Sequence, residues 1–324
     1  MVLLYFQNRY TNLNLDKKNF QYVSSGKSGI SLIFNYLKDI KKINPKIDEA
    51  IVPKLMGHWV YSQLSQGIFT SPKVTKYTKI VYLYHQFGIP QKINKKELKN
   101  LKKKYLIIED CAHILSGKSN KMKIGNLGHF AIYSFSKFFS CDFLGGVYSN
   151  ERSLINYIKE KKKTTNVNTF YLIKFFFRLI NIFKKNKYLN SIIISLAYSM
   201  YNFTFKPDKK SIIKVENLIS GEIEKRIDRL KKTRKAFQKF NFLDYDKSND
   251  LYAPFAIPLV MNEKIIKRIN EHLLKKNYRF EIIKFDINRN IFNPDYKKAI
   301  LLDLGCIESI FELQISSILH CIEK

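Results

Sequence analysis

The residues whose types and spacing could do chemistry fall between Ile107 and Val147, which read IIEDCAHILSGKSNKMKIGNLGHFAIYSFSKFFSCDFLGGV. A short β-branched run ends in two carboxylates, Glu109 and Asp110. A glycine-punctuated loop leads into a second apolar strand, AIYSFSK, where Lys137 follows aromatic and hydroxyl residues and a Gly145-Gly146 pair lies just beyond. An acid at the end of one buried strand and a lysine at the end of another describe a site rather than a surface, because ionisable groups are kept in such places chiefly where they act. Upstream, Ser24-Ser25-Gly26-Lys27-Ser28-Gly29 runs into apolar positions at helical spacing, Ile30, Ile33, Phe34 and Leu37. Small residues at a helix start expose backbone N–H groups and let a phosphate approach. The GxxxxGK[ST] spacing of a Walker loop is absent, and a capped helix start without ligand explains the same residues.

Positioning those groups takes a sheet. Tyr22 to Leu37 reads as a strand end and helix, AIVP (Ala50 to Pro53) as a short buried strand, and LMGHWVYSQLSQ as a loop entering a helix. Trp59, the single tryptophan, has His58 beside it; either is a packed aromatic or a group that stacks on a ligand ring. KIVYLY (Lys79 to Tyr84) is a further strand, HQFGIPQ a turn, and KINKKELKNLKKKY a charged amphipathic helix that enters LIIED. Strand and helix alternating through the first half predict a mostly parallel α/β sheet, with its site at the carboxyl ends of the strands. Glu216 to Phe240 reads as one long helix with an apolar stripe of Ile219, Ile223, Ile227 and Leu230. LYAPFAIPLV, a helix from Glu263 to Lys276, the strand NYRFEIIKF and a last helix from about Glu308 complete a small α+β unit. The division expected is 1–210 for a large α/β domain and 211–324 for the connecting helix and the C-terminal domain.

The chain has 324 residues, 45% hydrophobic and 14% aromatic, which is ample for a packed interior and excludes global disorder. The formal charge of +30 admits an anionic partner or lysines spread over solvated faces. The aromatics lie in apolar runs rather than at base-stacking intervals, so nucleic acid is not expected. Four cysteines without CxxC pairing give no zinc spacing and no disulfide framework, in keeping with a reducing cytoplasm. MVLLYFQNRY lacks a basic region and a long apolar run, so it does not read as a signal peptide. Phe170 to Phe183 is aromatic with interspersed basic residues, and Tyr188 to Phe205 is uncharged. Asn190, Ser191, Ser195, Ser199, Asn202 and Thr204 argue against a spanning helix there. A buried helical hairpin, or a basic surface helix on anionic lipid, fits better.

In this order the motifs resemble the DegT-type sugar aminotransferases, pyridoxal-phosphate (PLP) enzymes of fold type I. SSGKSGISLIFNYL, IVP with its aromatic loop, VYLYHQFGIPQ, IIEDCAH, IGNLGHFAIYSFSK with LGGV, and the long helix with PFAIPLV carry the likeness. The resemblance implies a mostly parallel mixed sheet flanked by helices, a small C-terminal α+β domain, PLP as cofactor and a homodimer. It implies Lys137 as the catalytic Schiff-base lysine and proton shuttle, and Asp110 as the partner of the protonated ring nitrogen. It implies His113 near the 3-oxygen of the ring, although a satisfied core histidine also fits. Ser134 is expected at the phosphate, with Gly26, Lys27 and Ser28 adding backbone donors, and Trp59 or His58 on the ring face. The amino donor would be glutamate and the acceptor a nucleotide-linked keto sugar, for surface polysaccharide or amino-sugar synthesis. Ser134 and Lys137 are closer together than the usual pattern, in a compact form of it, and Phe143-Leu144 stands where Gly-Glu commonly precedes the glycine pair. Two rivals are a catalytically silent scaffold docked on acidic membrane or on other assembly enzymes through residues 170–205, and a sugar dehydratase, whose branch typically carries histidine in place of the lysine.

Overall fold

The computed structural model describes residues 18–141, 143–164, 167–183, 186–201, 206–246, 250–274 and 278–323. In chain order the elements are β1 (Phe20–Val23), α1 (Gly26–Asp39), β2 (Glu49–Ile51), α2 (His58–Ser65), β3 (Phe69–Ser71), β4 (Thr78–Tyr84), α3 (Lys95–Lys104), β5 (Leu106–Asp110), β6 (Ile114–Ser119), β7 (Met122–Lys123), β8 (Phe130–Ser134) and β9 (Gly145–Ser149). There follow α4 (Arg152–Thr164), α5 (Val167–Ile182), α6 (Lys187–Tyr201), α7 (Lys209–Ala236), β10 (Tyr252–Pro254), β11 (Ala256–Val260), α8 (Glu263–Leu274), β12 (Glu281–Asp286), β13 (Tyr296–Asp303) and α9 (Glu308–Glu323).

Seven strands form the main sheet in the order β1-β9-β8-β5-β4-β2-β3. β3, β2, β4, β5 and β8 run parallel, while β9 is antiparallel to both β8 and β1. The carboxyl ends of β1, β4, β5 and β8 therefore share one edge, and β9 begins there. This bears out the mostly parallel mixed α/β sheet read from the sequence. Alternation along the strands divides their side chains between two cores. Ile80, Tyr82, Tyr84, Ile108, Phe130 and Ile132 pack with Ile30, Ile33, Phe34 and Leu37 of α1. Val81, Leu83, Ile107, Cys111, Ala131, Tyr133 and Phe135 pack on the opposite face, in a core that continues to Phe311 of α9. α1 forms because Ser25 caps it and its apolar positions recur every three to four residues. Truncating fully buried Ile33 to Ala would cost about 2–5 kcal/mol.

Several elements differ from the sequence reading. LYAPFAIPLV is two strands, broken at Phe255: β10 joins β6 and β7, while β11 pairs with β13. β13, unread in the sequence, lies between β11 and β12 in a three-stranded antiparallel sheet. The long helix begins at Lys209 rather than Glu216, capped by Asp208, whose carboxylate accepts from the Ser211 N–H. α8 ends at Leu274 among the described residues. α5 and α6 form the expected helical hairpin, but much of it is exposed rather than buried. Among the described residues no helix is long and apolar enough to cross a membrane. Residues 1–17, MVLLYFQNRY among them, lie outside the described residues, as do Asn202 and Thr204.

Candidate active site

Asp110 ends β5 in phase with Ile108, so it faces α1, whereas Glu109 and Cys111 face the other core. Asp110 is almost fully buried, with 2% exposure. Its Oδ2 accepts the Tyr82 hydroxyl at 2.7 Å and its Oδ1 accepts the Ala112 N–H at 2.8 Å. Burial and the Asp110 charge hold the Tyr82 phenol well above its ordinary pKa, so Tyr82 stays a donor. Glu109 is buried too, and its oxygens accept from Gly125 N at 2.7 Å, Leu127 N at 2.7 Å and Gly128 N at 3.1 Å. His85 Nε2 lies 3.0 Å from the same carboxylate. The Gln91 N–H donates to His85 Nδ1 at 3.1 Å, which leaves the ring proton on Nε2 facing Glu109. His85, Glu109 and Cys111 are near enough to share a metal ion. The carboxylate and both imidazole nitrogens are already engaged, so the cluster is a satisfied internal network.

Lys137 closes a single turn, Phe135–Lys137, directly after β8. It is accessible to solvent, yet the protein around its amine lowers its pKa by burial, a shift that Asp110 opposes. A wetted but crowded amine of this kind belongs to a recess. Its Nζ lies 2.5 Å from His113 Nε2, and the Tyr84 hydroxyl lies 3.2 Å from His113 Nδ1. Burial first, then the Lys137 charge, push the His113 imidazole well below its usual pKa, so it is neutral. Burial and Asp110 raise the Tyr84 phenol, which is protonated.

α1 begins beside β8: a side chain built at Gly26 would come within 3.4 Å of both the Ser134 Cβ and the Tyr133 carbonyl oxygen. The gap between helix start and strand end is thus kept open by the missing Cβ. The Ser134 hydroxyl borders it, with no hydrogen-bond partner among the described residues. A Cβ at Gly145 would fall 2.3 Å from the Ser25 carbonyl carbon and 2.5 Å from Gly26 N, so β9 can reach this edge only as glycine. Lys27 lies over the Trp59 ring at 5.3 Å. Its pKa is lowered to about 8, by burial and then by the charge of Lys137, which places both lysines in one electrostatic neighbourhood. Trp59 and His58 are exposed at the start of α2.

Ser28 is a correction. Its N–H donates to Ser25 Oγ at 3.0 Å, and its own hydroxyl accepts from Ser25 N at 3.0 Å and donates to the Ser25 carbonyl at 2.8 Å. Ser28 is spent on capping α1 and offers neither backbone nor side-chain donor outward. Gly26 and Lys27 keep their first-turn positions, where helix N–H groups precede the internal ladder.

Five neighbours escaped sequence reading. Tyr82 and Tyr84 are described above. Phe255, at the break between β10 and β11, packs on His113 at 5.5 Å between ring centroids, and its N–H donates to the His113 carbonyl at 2.8 Å. Phe138 packs edge-on against Phe255 at 5.9 Å. Arg226 of α7, 1% exposed, donates to the Pro254 and Phe255 carbonyls at 2.9 and 2.7 Å and lies 4.7 Å over the Phe138 ring.

The set comprises an amine of depressed pKa, an oriented carboxylate, an open hydroxyl and the first turn of a helix beside a lysine. These fit the amine-reactive carbon, ring nitrogen and phosphate of PLP in kind.

Residues 70–160 match the DegT/DnrJ/EryC1/StrS aminotransferase family, which bears out the resemblance read from the motifs. That stretch carries Asp110, His113, Ser134 and Lys137. The Helicobacter pylori aminotransferase PseC, involved in the biosynthesis of pseudoaminic acid, superposes with a TM-score of 0.61 at 11% identity over 94% of this chain and 86% of that one. The putative sugar aminotransferase Spr1654 of Streptococcus pneumoniae, in its PLP form, gives 0.60 at 11% identity over 99% and 95%. The E. coli GDP-4-keto-6-deoxy-D-mannose-3-dehydratase, with bound hydrated PLP, gives 0.63 at 14% identity over 97% and 91%. The fold is that of the fold type I PLP-dependent transferases. No curated protein sequence matches the chain.

Proposed function

We propose that the protein is a PLP-dependent sugar aminotransferase that moves an amino group from an amino acid, glutamate first among candidates, to a nucleotide-linked keto sugar. The observation that carries the reading is the meeting of Lys137, Asp110 and Ser134, all within the stretch that matches an aminotransferase family, with the start of α1 at one edge of the sheet. Asp110 would hold the ring nitrogen, Lys137 the reactive carbon, and Ser134 with Gly26 and Lys27 the phosphate. PLP, when bound, supplies an electron sink for bond breaking at the carbon that carries the amine. The remaining work belongs to the chain.

Tyr82 and the Ala112 N–H pin Asp110 so that the carboxylate keeps one orientation at the strand end. His113 manages the proton of Lys137. With Lys137 protonated, its Nζ donates to Nε2 and the Nδ1–H donates to the Tyr84 oxygen; with Lys137 neutral, the Tyr84 hydroxyl donates to Nδ1 and Nε2–H donates to the amine. The imidazole exchanges tautomers without taking net charge, which suits a group whose pKa is held low. Phe255 and Phe138 wall the same recess with apolar surface. A diphosphate-bearing sugar suits the basic surface. A cytoplasmic homodimer serving surface polysaccharide or amino-sugar synthesis completes the proposal.

The test loads purified protein with pyridoxamine 5′-phosphate and offers a panel of nucleotide keto sugars. Amino-sugar product together with the visible absorption of lysine-bound pyridoxal, lost in Lys137→Ala, is expected. No such absorption on adding PLP, or dehydration of the sugar without amine transfer, would overturn the reading.

A further inference from the structure

Residues 161–207 contain nine lysines and arginines and no aspartate or glutamate, in a chain that otherwise carries 27 acids. Most of this stretch is the hairpin of α5 and α6, and these two helices pack chiefly on each other. Each turns apolar side chains outward at helical spacing. On α5, Leu172, Phe175 and Ile182 are 43%, 53% and 70% exposed, and Arg178 lies on the same stripe. On α6, Tyr188 and Ile192 are 80% and 41% exposed, alongside exposed Ser191 and Ser195. Phe176, Leu179, Ile180, Leu189, Ile193 and Ile194 take the inward faces. Neither helix is long and apolar enough to cross a bilayer.

We infer that this hairpin is a docking surface for an anionic lipid bilayer, on which the helices lie in the interfacial plane. Three partners could cover exposed apolar side chains here, and charge discriminates among them. A second copy meeting this face symmetrically would set the hairpin's five cations, Lys174, Arg178, Lys184, Lys185 and Lys187, against the same five, with no acid between 167 and 201 to answer them. An acidic protein would answer the cations but not the outward aromatic and aliphatic rows. The bilayer interface answers both: acyl chains take Phe175, Ile182 and Ile192, tyrosine seats at headgroup level, and lipid phosphates neutralise the basic residues. The inference is independent of the cofactor chemistry, because vesicle binding is read without turnover.

The full-length protein is floated with vesicles of phosphatidylglycerol and phosphatidylcholine, and with phosphatidylcholine alone. Binding to the anionic vesicles, at least about ten-fold weaker to the neutral ones and reduced by raising salt, is expected. Phe175→Glu with Ile192→Glu lowers anionic binding at least about ten-fold, and Arg178→Gln about five-fold. Both variants are compared with wild type for melting temperature and PLP absorption, which stay unchanged. Absence of anionic binding by the wild type would overturn the inference. So would equal binding to neutral vesicles, or conversion of a dimer to monomers by the glutamate pair, which would make the face a contact between copies.

Discussion

Two neighbouring carboxylates, Glu109 and Asp110, leave the same strand on opposite faces and meet opposite surroundings. Glu109 accepts from three backbone N–H groups and faces His85, so every lone pair is occupied by the protein itself. Asp110 has one hydroxyl and one N–H, at the edge where four strands end and α1 begins. Burial is nearly the same for both, so burial does not tell site from scaffold. The count of internal donors does. A carboxylate saturated by the fold organises the loop before β8, whereas one held by two donors retains acceptor capacity for a ligand.

The sharpest way to break this contrast is at its reactive end. Lys137→Ala should lower amino-transfer turnover by about a thousand-fold or more while leaving denaturant stability within about 1 kcal/mol, measured by initial rates and urea unfolding. Exchanging the two acids comes next. Asp110→Asn keeps a carbonyl acceptor for the Ala112 N–H, and the Tyr82 hydroxyl can turn to accept from the new amide NH2, so stability should change by under about 1.5 kcal/mol while turnover falls about a hundred-fold. Glu109→Gln should cost about 3 kcal/mol in urea unfolding, because its amide presents donors to donors. If the two variants show equal stability losses, the distinction fails.

Smaller effects probe the surroundings. Tyr84→Phe removes the partner of His113 Nδ1 and should lower kcat about ten-fold with little change in KM. Lys27 offers a pH test. Its ordinary pKa of 10.5 falls to about 8 in the fold, so its charge is present below about pH 8 and lost above. Pyridoxamine 5′-phosphate affinity, read by calorimetry, should therefore fall several-fold as pH rises through about 8. The step should vanish in Lys27→Gln, whose affinity is already lower at pH 7.

That Asp110, Ser134 and Lys137 come together at one sheet edge was legible because each ends an apolar run, and the order of runs resembled a known family. The tyrosines were not, although KIVYLY carries them two residues apart. Placing Tyr82 beside Asp110 requires knowing that β4 pairs with β5 in the register that sets Tyr84 against Asp110. Phe255 and Arg226 lie more than a hundred residues from His113 and were read as strand and helix filler. Nothing local distinguishes an arginine that solvates a helix from one that binds two carbonyls inside the core. Ser28 was misplaced for the opposite reason. Its small size and position suited a phosphate, but the same hydroxyl closes a capping box. β13 was missed because the charged pair Lys297-Lys298 masks the apolar run behind it.

The Arg226 and Phe255 wall also orders events in time. A ribosome releases β1 to β9 well before α7 and β10 emerge, so a nascent chain can pair its main sheet while one side of the recess is still missing. The His113 carbonyl then waits for the Phe255 N–H, and the Phe138 ring for the guanidinium. On the proposed function, cofactor capture would be a late step in the life of each molecule, and a polypeptide truncated after Ser149 would carry Asp110, Ser134 and Lys137 without the Phe255 and Arg226 wall.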